Sequence, residues 1–201
     1  MIANFLGGIV VRRAAAAVLS LATVVVSVGQ TRAAIAAAID PSRTSIEFVV
    51  DGVGWPRTKG RFTAFSGKIA IDPRRPEASS VSFRVVAKSI EVGSSSFADY
   101  LRGDAFFDVA QYPDIIFVST AVEKVDDRHA RVTGDLTLRG VTHPFTVDVE
   151  FEGPGARERD RLNFRATGVL HRLEFGMSAG FPAISNDVDL IISTQAPAES
   201  E

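Results

Sequence analysis

The run TGDLTLRGVTHPFTVDVEF, Thr133 to Phe151, alternates apolar and polar residues on both sides of Arg139-Gly140. In its second arm Phe145, Val147, Val149 and Phe151 share one face, and Thr146, Asp148 and Glu150 share the other. A period of two is that of a half-buried strand, because successive side chains of an extended backbone point to opposite sides. The segment is therefore expected to form two β-strands hinged at Arg139-Gly140, with an apolar face that something must cover. Side chains of an opposite wall would give a solid core. A molecule that is not protein would give a binding tunnel, and the choice decides the function.

The same rhythm recurs after Asp40. Alternation predicts strands over Thr44 to Val50, over Gly60 to Ile71 with a break at Gly67, and over Val81 to Ala87. Ile115 to Val122 is apolar on both faces, which predicts a strand covered or paired on both sides. Arg131 to Leu138, Phe145 to Phe151, Leu162 to Gly168 and Val188 to Ile192 complete about eight or nine strands, and Leu162, Phe164 and Ala166 are expected to face together. One region departs from the pattern. Ser94 to Pro113 holds two short helical candidates, the first capped by Ser95 or Ser96 and ended by Gly103, the second capped by Asp108 and closed by Pro113. Pro73 to Ser80 and Gly153 to Asp160 read as turn-rich loops. Many short strands with one small helical insert argue for an antiparallel barrel or sandwich, and an eight-stranded barrel is wide enough to be filled by side chains or to hold one small ligand.

The first 38 residues are expected to be a cleaved export signal. Ala14 to Val28 carries no charge, follows Arg12-Arg13, and leads into small residues that offer cleavage between Ala34 and Ile39. An Ala-rich run of about 15 residues falls short of the roughly 20 that span a bilayer, so no stable membrane span is expected after cleavage. This places the protein in the periplasm, exported by the general or the twin-arginine route. The three arginines before Ala37 have no acidic counterpart, so the processed chain is more acidic than the net −2 of the whole. Such a charge gives no electrostatic reason to bind nucleic acid. With no cysteine, the domain has no disulfides and no thiol chemistry. The expected organisation is a leader over 1–38, a barrel domain over 39–195 and a disordered tail over 196–201.

Catalysis finds little support. There is no G-x-S-x-G elbow, no glycine-rich phosphate loop and no local zinc spacing among His129, His143 and His171, which are expected in exposed turns, at a strand start and in loops. No carboxylate is isolated within an apolar run where burial would tune it for acid–base work. The large side chains are mostly Phe, 14 of them against one Trp and two Tyr, and so need no hydrogen-bond partner.

TGDLTLRGVTHPFTVDV, together with FFDVAQYPDIIFVST (Phe106 to Thr120), GRFTAFSGKIAID (Gly60 to Asp72) and DVDLIIS (Asp187 to Ser193), resembles the YceI family of exported lipid-binding proteins. The resemblance spans roughly Asp40 to Ser193. It implies an all-β, lipocalin-like, extended antiparallel barrel of about eight strands with a short helical insert. The implied function is non-enzymatic: to sequester or carry a polyisoprenoid, an isoprenoid quinone-like lipid or another long-chain lipid, with no required cofactor and no metal. A fatty acid or fatty amide carrier is an alternative, as is a solid-core envelope domain that acts through protein partners, and a homodimer is left open. On the strands, Phe48, Phe62, Phe83, Phe117, Leu136, Phe145 and Phe164 are the expected lining. Trp55, Tyr100, Leu101 and Phe106 are expected near the entrance. The sequence departs from the family pattern at Phe97-Ala98-Asp99-Tyr100-Leu101, which keeps only the leucine of the family's Arg-Asp-x-His-Leu element, and at Leu173-Glu174-Phe175-Gly176, where the family has a polar-Asp-Phe-Gly element.

Overall fold

The computed structural model describes residues 35–54, 57–72, 74–155 and 158–197. Eleven strands and one helix follow in the order β1 (Ile35–Ala38), β2 (Ser45–Gly52), β3 (Thr58–Phe62), β4 (Phe65–Ile71), β5 (Ser80–Val86), β6 (Ile90–Val92), α1 (Ser95–Arg102), β7 (Asp114–Lys124), β8 (His129–Leu138), β9 (Val141–Gly155), β10 (Glu158–His171) and β11 (Ile184–Pro197). All ladders are antiparallel, in the order β1-β4-β5-β7-β8-β9-β10-β11-β2-β3-β6.

Six of these strands are halves of three bent ones. β1 runs into β2 through Ile39 to Thr44, β3 into β4 through Thr63-Ala64, and β5 into β6 through a 3-10 turn at Ala87–Ser89. The bends are stitched together: Val86 N donates to Ala64 O at 2.9 Å, Thr63 N to Ser89 O at 3.2 Å, and Ile39 N to Gly67 O at 3.0 Å. Counted as passes of the chain, β1/β2 pairs with β3/β4, β3/β4 with β5/β6, and β5 with β7. The hairpins β7 to β11 and the β11–β2 ladder complete the circuit. Eight passes, each paired on both sides, make a closed antiparallel barrel, the architecture expected from the alternation and from the family resemblance.

Local chemistry sets the details, and some differ from expectation. The break in the Gly60 to Ile71 run falls at Thr63-Ala64, where all three neighbouring strands bend, and not at Gly67. The helix is capped by Ser94, whose hydroxyl accepts from Phe97 N at 3.3 Å, one residue before the expected cap. The second helical candidate is only a turn: Asp108 sits at φ 47°, and its carbonyl accepts from Gln111 and Tyr112 N before Pro113 stops it. Arg139 and Gly140, at φ 52° and 71°, form the two-residue hairpin turn that such a pair favours. β7 is paired on both edges as expected, yet its outer face is uncovered, with Ile116 and Val118 exposed. β9 and β10 extend into the expected Gly153 to Asp160 loop, and β11 takes in 196–197 of the expected tail. β1 lies within the segment where cleavage is expected, so a cut after Ala36 would leave half of its ladder with β4 and a cut after Ala38 none. Among the described residues no helix is long and apolar enough to cross a membrane.

Candidate functional site

The barrel encloses a cavity of about 1020 Å³. Its lining begins at one end with the β7–β8 turn, where Lys124, Asp126 and His129 reach it, and with Asp72 and Ser79 after β4. It passes through a wholly apolar middle. At the other end it reaches Asp51 and Thr58, the α1 residues Phe97 and Tyr100, and Arg172 beyond β10. Strand register puts these two groups at opposite ends, since β8 pairs His129 with Glu150 while β10 pairs His171 with Asp187 beside the start of β11.

Ten of the eleven residues expected to line a tunnel do lie on this cavity: Phe48, Phe62, Phe83, Phe117, Leu136, Phe145 and Phe164 from strands, and Tyr100, Leu101 and Phe106 from the insert. Trp55 lies outside the described residues. Ala166 and Leu162 share the wall with Phe164, as their common face requires.

An interior with this many phenylalanines would ordinarily be full. Three phenylalanine rings pack closely against glycines of neighbouring strands. A Cβ on Gly60 would stand 2.2 Å from Phe48 Cζ, one on Gly134 2.6 Å from Phe117 Cζ, and one on Gly168 2.9 Å from Phe145 Cζ. Glycine inside a strand marks such close approach. The rings also meet one another: Phe48–Phe62 at 5.8 Å, Phe117–Phe145 at 6.4 Å and Phe151–Phe164 at 5.6 Å between centroids.

Charge is kept outside or at the ends. Arg61–Glu91, Arg84–Asp114 and Arg131–Asp148 are solvent-facing ion pairs between neighbouring strands. At the β7–β8 end, the backbone N–H of Arg128 and then the His129 ring hold the Asp126 carboxyl below its ordinary range. The three histidines are dispersed. The Nδ1 of His129 is 2.8 Å from Asp126, that of His171 is 2.8 Å from Asp187 at the other end, and the His143 ring packs edge-on against Phe175, 5.3 Å between centroids. His171 is the last residue of β10 and not in a loop. Among the described residues no group of three or more His, Asp or Glu is placed to hold a metal.

The residue that sequence reasoning passed over is Arg172. It is 3% exposed and lines the cavity, and desolvation pushes its guanidinium below the ordinary value. It follows His171 in a stretch that reads as an unremarkable polar turn, and nothing in the pattern marks it as buried.

The YceI-like domain family matches residues 38–196. The chain is similar to a UPF0312 protein of Pseudomonas putida, 35% identical over 183 residues that cover 89% of this chain and 94% of the relative. Among solved structures its fold is similar to that of Burkholderia cenocepacia BcnA, with a TM-score of 0.72 at 24% identity over 79% of this chain and 99% of that one. It is also similar to a polyisoprenoid binding domain from Saccharophagus degradans implicated in plant cell wall breakdown, with a TM-score of 0.61 at 17% identity over 80% and 98% of the two chains.

Proposed function

Since the chain belongs to the YceI family, we propose that it is an exported, non-enzymatic binding protein that holds a polyisoprenoid or similar long-chain lipid in the barrel cavity. The observation that carries this reading is a cavity of about 1020 Å³ within the barrel whose middle is walled by apolar side chains and whose polar groups are confined to its ends. The volume stands at the upper end of the range of small-molecule sites, about 300–1,000 Å³. Burying about 400 Å² of hydrocarbon at ~25 cal/mol per Å² gives on the order of 10 kcal/mol before ordering and association costs. No ion pair is needed to retain such a ligand. The Saccharophagus degradans domain of the same fold is described as polyisoprenoid-binding, which supports the same class of ligand here. The uncharged leader over Ala14 to Val28 supports export to a compartment between membranes, where a carrier of insoluble lipid has use.

The test is to purify the protein from the periplasmic fraction, extract it with organic solvent and identify the extract by mass spectrometry. A long-chain lipid near one per protein is expected, on a chain whose intact mass begins between Ala34 and Ile39. A lipid-free protein that also fails to take up an added polyprenyl alcohol would reject the reading in favour of a domain that acts through protein partners.

A further inference from the structure

Arg172 differs from the surface arginines in what balances its charge. Arg57, Arg61, Arg84 and Arg131 are exposed and each meets a carboxylate. Arg172 is buried and meets only neutral oxygens. Its Nε donates to Ser185 O at 2.7 Å, its Nη1 to Ala179 O at 2.9 Å and to Met177 O, and its Nη2 to Ile184 O at 2.9 Å. A guanidinium has five N–H donors and keeps its proton in proteins. Four donors are therefore used, one is left, and the positive charge has no anionic partner among the described residues. The four carbonyls fix the group in place and fold the segment from Met177 to Ser185 around it. They do not neutralise it.

A buried charge without a counter-ion is costly, and an anion that reaches it recovers part of that cost. The cavity touches Arg172, with Leu170, Met177, Ile184 and Leu190 beside it. An amphiphile threaded through the barrel can bring an acidic oxygen to this point while its chain lies along the phenylalanine rings of the lining. We infer that Arg172 is the head-group site of the cavity, and that the preferred ligand is a long apolar chain ending in an acidic oxygen, a carboxylate or a phosphate, with its tail toward Val122 and Leu162. This rests on the lipid reading of the cavity and adds to it the chemistry and direction of the ligand. Neutral alcohols of the same length gain the apolar contacts only. A charge-assisted hydrogen bond in a water-poor site separates the two classes by about tenfold or more.

The experiment uses the delipidated wild-type protein, so it does not depend on a variant folding. Equilibrium affinities are measured at pH 8 for palmitate against hexadecanol and for farnesyl phosphate against farnesol. The acid is expected to bind at least about tenfold more tightly than its alcohol in one pair or both, and the pair that shows it tells a fatty acid from a prenyl phosphate. A smaller preference in both pairs overturns the inference and leaves the lipid reading standing. Failure of all four probes to bind overturns both. Direction is read separately with palmitate carrying a diazirine at its methyl end. Photoadducts at Val122, Val149 or Leu162 support the assignment, and adducts centred on Met177 to Ile184 overturn it.

Discussion

Two parts of the same barrel wall bury apolar side chains in different ways. At the corner where the three bent strands turn, Ile90 is 0% and Ala87 1% exposed, and Phe65 and Val85 are buried beside them under α1. Arg102 locks the helix over this corner, donating from Nε to Lys88 O at 2.9 Å and from Nη2 to Ile90 O at 2.8 Å. Ile90, Ala87 and Phe65 do not reach the cavity. Across the barrel, Val149 on β9 and Leu162, Phe164 and Ala166 on β10 are only half-buried although they face inward, because what they face is the lumen. The corner is a close-packed core of the ordinary kind. The β9–β10 wall is apolar surface turned toward the cavity. Apolar residues at strand period are thus compatible with both, and only packing tells which side chains hold the fold and which hold the ligand.

The largest effect that tests this contrast is at the corner. Ile90→Ala leaves a hole in a packed site that the bends and α1 prevent from collapsing, so it is expected to cost about 2–5 kcal/mol in urea unfolding of the ligand-free protein. Leu162→Ala removes a comparable side chain that already borders empty space. It adds no new cavity and is expected to cost about 1 kcal/mol, the transfer contribution of a half-buried group. Equal losses at the two positions would break the distinction between core and lining.

A second substitution sharpens it from the side of the glycines. A Cβ at Gly60 would meet Phe48 Cζ at 2.2 Å and Cε1 at 2.6 Å, and Val92 Cγ1 at 2.8 Å, all of them side-chain atoms. The ring has somewhere to go, toward the lumen. Gly60→Ala is therefore expected to cost about 1–3 kcal/mol, the range of overpacking with local adjustment, and to lower the lipid recovered per protein because Phe48 then stands in the cavity. Retention of full lipid content with the same loss of stability would show that the ring moves within the wall instead.

β8, β9 and β10 were legible because each holds a clean alternating stretch, and β7 and β11 because each holds a short apolar run bounded by turn residues. Arg139-Gly140 fixed the hairpin most directly. The bent strands were harder. β6 is three residues, Ile90–Val92, too short for a period to register, and β1 is an alanine run whose composition belongs equally to a leader. The bend at Thr63-Ala64 carries no glycine or proline, since it is imposed by the alignment of three neighbours, which is a tertiary cause. Strand parity put Leu162, Phe164 and Ala166 on one face, and all three line the cavity. Arg172 was not legible, because what buries it is the return of residues 177–185 across it, contacts between positions that no local pattern couples.

Ala166 gives the smallest expected change in stability and separates the two kinds of wall most cleanly. It pairs with Val149 on one side and Ile192 on the other, lies between Phe164 and Gly168 on β10, and lines the cavity. In a filled core, Ala166→Trp would force neighbouring side chains off their rotamers and cost roughly 1–3 kcal/mol or more. Facing a lumen, the indole extends into space that the ligand would otherwise occupy, and its apolar surface remains in apolar surroundings. The ligand-free variant is therefore expected to unfold within about 1 kcal/mol of the ligand-free parent while it copurifies with little or no lipid. Lipid must be stripped from both before the comparison, because a ligand that binds only the folded state stabilises the parent by mass action. A large loss of stability with unchanged lipid content would mean that Ala166 belongs to the packed side of the comparison. A stable variant that still carries its lipid would place the ligand elsewhere along the tunnel, nearer α1 and Arg172 than β9 and the middle of β10.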